Sequence, residues 1–133
     1  MADLISPTKA RIDDDDDDDD EECEEEKAGK AVTAMLGQRL LKDRVVLVTK
    51  PVDRDLMAVI VAQLLVLDAE SHDPITMYIN CPGGDADSGF GIYDAMKFIE
   101  SPVTTVCMGL AASAAIIIFL GGEKGRRFTL PHS

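Results

Sequence analysis

Apolar runs alternate with polar turns along most of the chain. The β-branched run RVVLVT at 44–49 predicts a buried strand. Residues 52–70 predict a helix buried on most sides, because apolar side chains occupy both of its faces and acids stand at its start. ITMYIN at 75–80 predicts a second strand, and the glycine-rich CPGGDADSGFG after it predicts a loop.

The second half of the chain continues the same alternation. Residues 91–101 predict a helix that ends before Pro102, and 103–109 predict a third strand. AASAAIIIFLGG at 111–122 predicts a helix ended by two glycines, and 126–131 begin a further strand. Strands that alternate with helices predict an α/β domain with a largely parallel sheet. In such sheets the functional sites lie just past the carboxyl ends of the strands.

The most apolar stretch, 103–120, is about the minimum length for a membrane span. It contains three hydroxyl residues and has no flanking Trp or Tyr, which a span would favour. A β-branched first half and an alanine-rich second half favour a strand followed by a helix. We therefore expect no membrane insertion.

Charge is concentrated in one segment of the chain. The formal net charge is −12, and residues 13–26 hold 13 of the 25 acids, which leaves 12 acids against 13 bases elsewhere. Residues 1–30 are therefore predicted to be a disordered acidic arm, either a solvated tail or a docking arm for a basic partner. The nearly neutral remainder, 31–133, is predicted to fold, and without a basic cluster it argues against nucleic-acid binding.

The cysteines do not indicate a disulfide framework. Cys23, Cys81 and Cys107 form no CxxC pair and have no histidine at metal-ligand spacing. The N-terminus also lacks a continuous apolar stretch of signal-peptide length. We therefore expect a cytoplasmic protein without a bound metal.

Two segments at predicted strand ends could carry chemistry. Gly83 and Gly84 follow the second strand, and consecutive glycines permit positive φ and unobstructed N–H groups that can hold an oxyanion. The alternative is an ordinary tight turn. Ser113 follows the third strand at a predicted helix N-terminus, where it could act as a nucleophile with the Ala114 N–H as an oxyanion donor. The alternative, which spacing alone favours, is that Ser113 caps the helix.

A serine nucleophile needs a base, and the chain has two histidines. His72 lies in the polar loop ESHDP before the second strand, at the strand end opposite to the glycines. His132 is the penultimate residue. Neither is well placed to activate Ser113.

Several motifs in order resemble one protein family. The chain resembles the proteolytic subunit of the Clp protease, ClpP, in five segments: LLKDRVVLV, PVDRDLMAVIVAQLLVLDAE, YINCPGGDADSGFGIYDAMKFI, VCMGLAASAA and GRRFTLPHS. The resemblance covers residues 39–133. It implies a crotonase-like β/β/α spiral and hydrolysis of unfolded polypeptides inside stacked heptameric rings fed by an AAA+ unfoldase. It implies no metal or cofactor.

The resemblance also assigns site residues. It makes Ser113 the nucleophile, at the end of a Gly-x-Ala-Ala-Ser motif at 109–113. It places Gly83 and Gly84 in the oxyanion and substrate-strand loop, and it makes the Ala114 N–H the second oxyanion donor.

Departures from the family pattern qualify this prediction. The family's catalytic histidine follows the RRFTLP strand shortly beyond Ser133, and its aspartate and the long ring-contacting helix lie further on. His132 stands where the family has Asn and is not expected to be the base. We therefore expect a C-terminally incomplete chain that is inactive alone. Asp85 and Asp87 replace neutral residues and could alter substrate preference.

Two other functions remain open at this point. The first is a noncatalytic ring component that pairs with active subunits. The second is a crotonase-type acyl-CoA enzyme, in which the glycine-loop N–H groups would hold a thioester enolate. The Ala-Ala-Ser motif argues against the second.

Overall fold

The computed structural model describes residues 17–133. It divides into a unit that ends at Leu36 and a unit of Gly37–Ser133. Residues 1–16 of the predicted acidic arm lie outside the described part of the chain.

Helix α1 (Asp17–Lys42) occupies the second half of the predicted arm. The sequence predicted a disordered arm over this range, whereas the structure has residues 17–30 in this helix. From residue 24 onward the sequence is rich in Glu, Ala, Lys and Leu, which are strong helix formers. Bases in its last turn, Arg39 and Lys42, also match the helix dipole. Lys30 pairs with Glu26 one turn earlier, at 2.6 Å.

The elements after α1 are β1 (Val45–Val48), α2 (Arg54–Glu70), β2 (Ile75–Cys81), α3 (Ala86–Phe98), β3 (Val103–Ala111), α4 (Ala114–Leu120) and β4 (Arg127–Thr129). The four strands are parallel and form one sheet in the order β1-β2-β3-β4. Helices α2, α3 and α4 connect successive strands, which confirms the predicted α/β alternation.

Local capping explains where two of the helices begin. The Asp53 carboxylate accepts a hydrogen bond from the Leu56 N–H at 2.7 Å and starts α2. Asp85 accepts from the Ser88 N–H at 2.9 Å, so that α3 begins well before the predicted start at 91. The sequence predicted a longer loop here because its two aspartates and two further glycines are typical of loops.

Helix α4 is shorter than the predicted 111–122. Strand β3 takes the first residue of that range, Ala111, the next two residues form a turn, and Gly121 ends the helix. Residues 103–120 are thus a strand, a sharp turn and a helix. In the described part of the chain, no helix combines the length and the apolar character needed to cross a membrane.

The core of the second unit lies between the sheet and helices α2, α3 and α4. The strands contribute alternate side chains, since successive residues of a strand point to opposite faces. The helices contribute one buried face each. Helix α2 is therefore not buried on most sides as predicted, since its apolar residues Val59, Leu65 and Val66 are exposed. Fully buried members of the core include Val46, Val48, Ile60, Leu64, Leu67, Ile75, Met77, Ile79, Ile92, Met96 and Ile118.

Arg44 stabilises the amino end of the sheet. Its guanidinium donates hydrogen bonds to the carbonyl oxygens of Leu67 at 3.0 Å, Ser71 at 2.9 Å and Asp73 at 2.8 Å. Its own carbonyl accepts from the Thr76 N–H at 3.0 Å in β2. One planar side chain therefore joins the start of β1 to the end of α2 and to the loop before β2.

Candidate active site

The two predicted site segments meet at the carboxyl end of the sheet. β2 leads into the glycine turn (residues 82–84), and β3 leads into Ala112 and Ser113. A β-carbon built on Gly83 would lie 2.5 Å from the Ala112 carbonyl oxygen and 2.8 Å from the Ser113 β-carbon. Gly83 also has a φ of +98°, so that only glycine fits this contact without a shift.

Ser113 occupies a strained turn between β3 and α4. Its φ of 52° and ψ of −124° are rare for a residue with a side chain. The residue is exposed, and its hydroxyl makes no capping hydrogen bond. The cap interpretation is therefore wrong. A sharp strand-to-helix turn of this kind presents a serine hydroxyl at the top of a parallel sheet in other folds as well.

Backbone N–H groups lie beside Ser113. The Gly83 N–H donates to the Cys81 sulfur at 3.3 Å. Among residues 17–133, the N–H groups of Gly84 and Ala114 donate to no other group. The Ala114 nitrogen lies 3.1 Å from the position of a Gly83 β-carbon, so the turn and the start of α4 are in contact. Unpaired backbone N–H groups of this kind can hold a negatively charged oxygen.

A third segment holds the glycine turn. The Val52 N–H donates to the Gly83 carbonyl at 2.8 Å, and the Asp85 N–H donates to the Val52 carbonyl at 2.8 Å. Gly84 has a φ of +149°, and a β-carbon there would collide with the Val52 carbonyl oxygen. Nothing in the sequence around Val52 indicates which turn it joins, so its role could not be predicted.

His72 lies at the other end of the sheet, as predicted. Its Nδ1 is 3.1 Å from the Asp68 carboxylate, and its Nε2 is 3.3 Å from the Glu100 carboxylate. Asp68 also accepts two hydrogen bonds from Ser101, from its N–H and its hydroxyl, both at 2.8 Å. The backbone hydrogen bond from Ser101 is the main cause that lowers the pKa of Asp68 to about 2. This cluster serves the fold at the amino end of the strands.

His132 is exposed near the end of the chain and hydrogen-bonds to no group in residues 17–133. Neither histidine therefore contacts Ser113 in the part of the chain that the structure describes. Within that part, no three His, Cys, Asp or Glu side chains are grouped to hold a metal ion. Cys81 and Cys107 are buried free thiols, and Cys23 is an exposed one.

Comparison with known proteins agrees with the resemblance. The Clp protease family matches residues 27–133. The ATP-dependent Clp protease proteolytic subunit of Deinococcus radiodurans is 48% identical over 96 residues, which are 71% of this chain and 47% of that protein. The chain thus spans about half the length of this curated relative.

Solved structures show the same relationship. ClpP1 from Listeria monocytogenes is similar with a TM-score of 0.69 and 42% identity, over 73% of this chain and 57% of that one. A single-residue mutant of the same protein gives a TM-score of 0.70 at the same identity and coverage. The fold is therefore of the ClpP type, and the chain belongs to the Clp protease family.

Proposed function

We propose that this chain forms part of the proteolytic subunit of an ATP-dependent Clp-type serine endopeptidase, with Ser113 as its nucleophile. One observation carries the proposal. The exposed Ser113 hydroxyl has no capping partner and stands in a strained turn against Gly83, beside the free N–H groups of Gly84 and Ala114. Strain of this kind persists where the surrounding structure enforces it, and it is concentrated at functional sites.

The chemistry would proceed by acyl transfer. The Ser113 oxygen attacks the carbonyl carbon of a peptide bond while a general base removes the hydroxyl proton. The carbonyl oxygen becomes an oxyanion, which accepts hydrogen bonds from the N–H groups of Gly84 and Ala114. The base then gives its proton to the leaving amine, and water hydrolyses the acyl-enzyme.

The general base is the part of this mechanism that residues 17–133 do not provide. Neither histidine contacts Ser113, and a serine without an imidazole partner is a weak nucleophile at neutral pH. The resemblance to ClpP places the histidine and the aspartate of the triad beyond Ser133. We therefore propose that the triad is completed by residues that follow this segment in the family.

The proposed substrates are unfolded polypeptides, delivered by an AAA+ unfoldase into a chamber of heptameric rings in the cytoplasm. Support comes from the relative in Deinococcus radiodurans, which is an ATP-dependent Clp protease proteolytic subunit.

A chimaera tests the proposal. Residues of this chain replace the matching 96-residue part of the Deinococcus radiodurans subunit, so that the relative supplies the remainder. We expect the chimaera to hydrolyse a small fluorogenic peptide, and Ser113→Ala to lower kcat by about 10³-fold or more. Ser71→Ala, which alters a serine at the other end of the sheet, serves as the matched control and should leave kcat unchanged.

Three results decide between the functions. Hydrolysis that is insensitive to Ser113→Ala contradicts the proposal. An assembled but inactive chimaera, beside an active parent subunit, favours the noncatalytic ring component. Absence of labelling by a serine-directed fluorophosphonate, together with turnover of an acyl-CoA thioester, favours the crotonase-type enzyme.

A further inference from the structure

Cys81 joins three segments around the candidate site. It is the last residue of β2 and is completely buried. Its thiol donates to the Lys50 carbonyl oxygen at 3.1 Å and accepts the Gly83 N–H at 3.3 Å. Its own carbonyl oxygen accepts the Ala112 N–H at 3.2 Å, one residue before Ser113. The segment after β1, the glycine turn and the serine turn therefore all bond to this one residue.

Residues 50–52 form a strap along the glycine turn. The Val52 backbone bonds to both flanks of Gly84, through the Gly83 carbonyl and the Asp85 N–H, each at 2.8 Å. A β-carbon on Gly84 would meet Val52, whereas one on Gly83 would meet Ala112 and Ser113. The glycine turn thus packs between the strap on one side and the serine turn on the other, and neither contact leaves space for a side chain.

We propose that the strap and the Cys81 thiol together aim the Gly84 N–H at the oxyanion, which makes Cys81 a positioning residue of the peptidase. This inference rests on the function proposed above. It assigns different tasks to the two glycine N–H groups. The Gly83 N–H bonds to sulfur and fixes the turn, and the Gly84 N–H is left free for the substrate.

The thiol is suited to this role because it donates and accepts at once. A serine hydroxyl at position 81 has the same capacity and can reproduce both bonds. Alanine and valine can reproduce neither, and valine also fills the volume of the thiol. In the alanine and valine variants the buried Gly83 N–H loses its acceptor. The glycine turn is then expected to rotate so that this N–H finds another acceptor, and the rotation displaces the Gly84 N–H as well.

The experiment uses the chimaera described above with Cys81→Ala, Cys81→Val and Cys81→Ser. We expect alanine and valine to lower kcat by about tenfold with KM unchanged, since small displacements of an oxyanion donor act on the transition state. The Cys81→Ser variant should keep most of the wild-type kcat. Cys107→Ala is the matched control, because Cys107 is a buried thiol of the adjacent strand whose sulfur hydrogen-bonds to nothing in residues 17–133. It should keep kcat within about twofold.

A second measurement follows the turn directly in the 133-residue chain. Amide hydrogen exchange should accelerate at Gly83 by at least about tenfold in Cys81→Val, and not in Cys107→Ala. The exchange rate of Gly83 in Cys81→Val also shows whether Cys81 positions the glycine turn if Cys81→Ala fails to fold.

The inference is overturned if Cys81→Val keeps the wild-type kcat, if Cys107→Ala loses as much as Cys81→Ala, or if Gly83 exchange is unchanged. As long as the activity of the chimaera still depends on Ser113, any of these results leaves the proposed function standing. Loss of Ser113 dependence overturns both. The two failures are therefore distinguishable.

Discussion

Replacing Gly83 by alanine tests the contact on which the candidate site depends. The added β-carbon would lie 2.5 Å from the Ala112 carbonyl oxygen, 2.8 Å from the Ser113 β-carbon and 3.1 Å from the Ala114 nitrogen. Two of these neighbours are backbone atoms, which cannot move aside by a change of rotamer. The glycine turn and the serine turn must therefore separate.

The expected loss in the free energy of unfolding has two causes. A non-glycine residue at the φ of +98° costs about 1–2 kcal/mol of folding free energy. Forcing an extra methyl group into a packed contact costs about 1–3 kcal/mol more. We therefore expect Gly83→Ala to lower the free energy of unfolding by about 2–5 kcal/mol and to leave a folded chain.

Gly125→Ala separates the two causes. Gly125 has a similar φ of +84°, but a β-carbon there would meet nothing within 4 Å. Its free energy of unfolding should fall by the backbone cost alone, about 1–2 kcal/mol. Urea unfolding of the 133-residue chain measures both variants. In the chimaera described above, where the relative supplies the general base, binding of a peptidyl boronic acid followed by ¹¹B NMR reports whether Ser113 and the oxyanion donors still act together.

The expected result is a larger loss of stability in Gly83→Ala than in Gly125→Ala, with boronate binding weakened by at least about tenfold in Gly83→Ala only. Equal losses in the two variants would show that the turns are not in close contact. Undiminished boronate binding by Gly83→Ala would refute the reasoning that this contact builds the site.

Three further predictions concern the rest of the chain. Arg44→Lys should lower the free energy of unfolding by about 2 kcal/mol in urea, because one ammonium cannot reproduce the fork of bonds to three carbonyl oxygens; an unchanged urea midpoint would contradict this. The hydrogen bond from the Ser101 N–H is the main cause that lowers the pKa of Asp68 from 3.8 to about 2. The ionised Asp68 carboxylate therefore contributes fully to stability above about pH 4, and this contribution is lost as the pH falls towards 2. Asp68→Asn should flatten this part of the pH profile of the urea midpoint, and equal slopes in both proteins would exclude the mechanism. The unmodified 133-residue chain should show no measurable peptide hydrolysis, since no histidine contacts Ser113, and robust Ser113-dependent turnover would disprove this.

The sequence by itself determined the alternation of strands and helices and the parallel sheet. These features follow from local patterns, such as the β-branched run at 44–49 and the alternation along 75–81 that buries every second side chain. It also located the glycine pair and Ser113 at strand ends, where parallel sheets carry their sites. It did not predict helix α1 over residues 17–30, because charge density favoured disorder there although strong helix formers follow in the same segment.

Only the tertiary structure decided that Ser113 is presented in a strained turn instead of capping α4. Ser113 takes these backbone angles where Gly83 packs against Ala112 and Ser113, a contact between segments about thirty residues apart. The same holds for Val52 and Cys81, whose partners lie on neighbouring strands and turns. Such contacts depend on the register of the sheet and on close packing, and hydrophobic periodicity along one segment does not encode them.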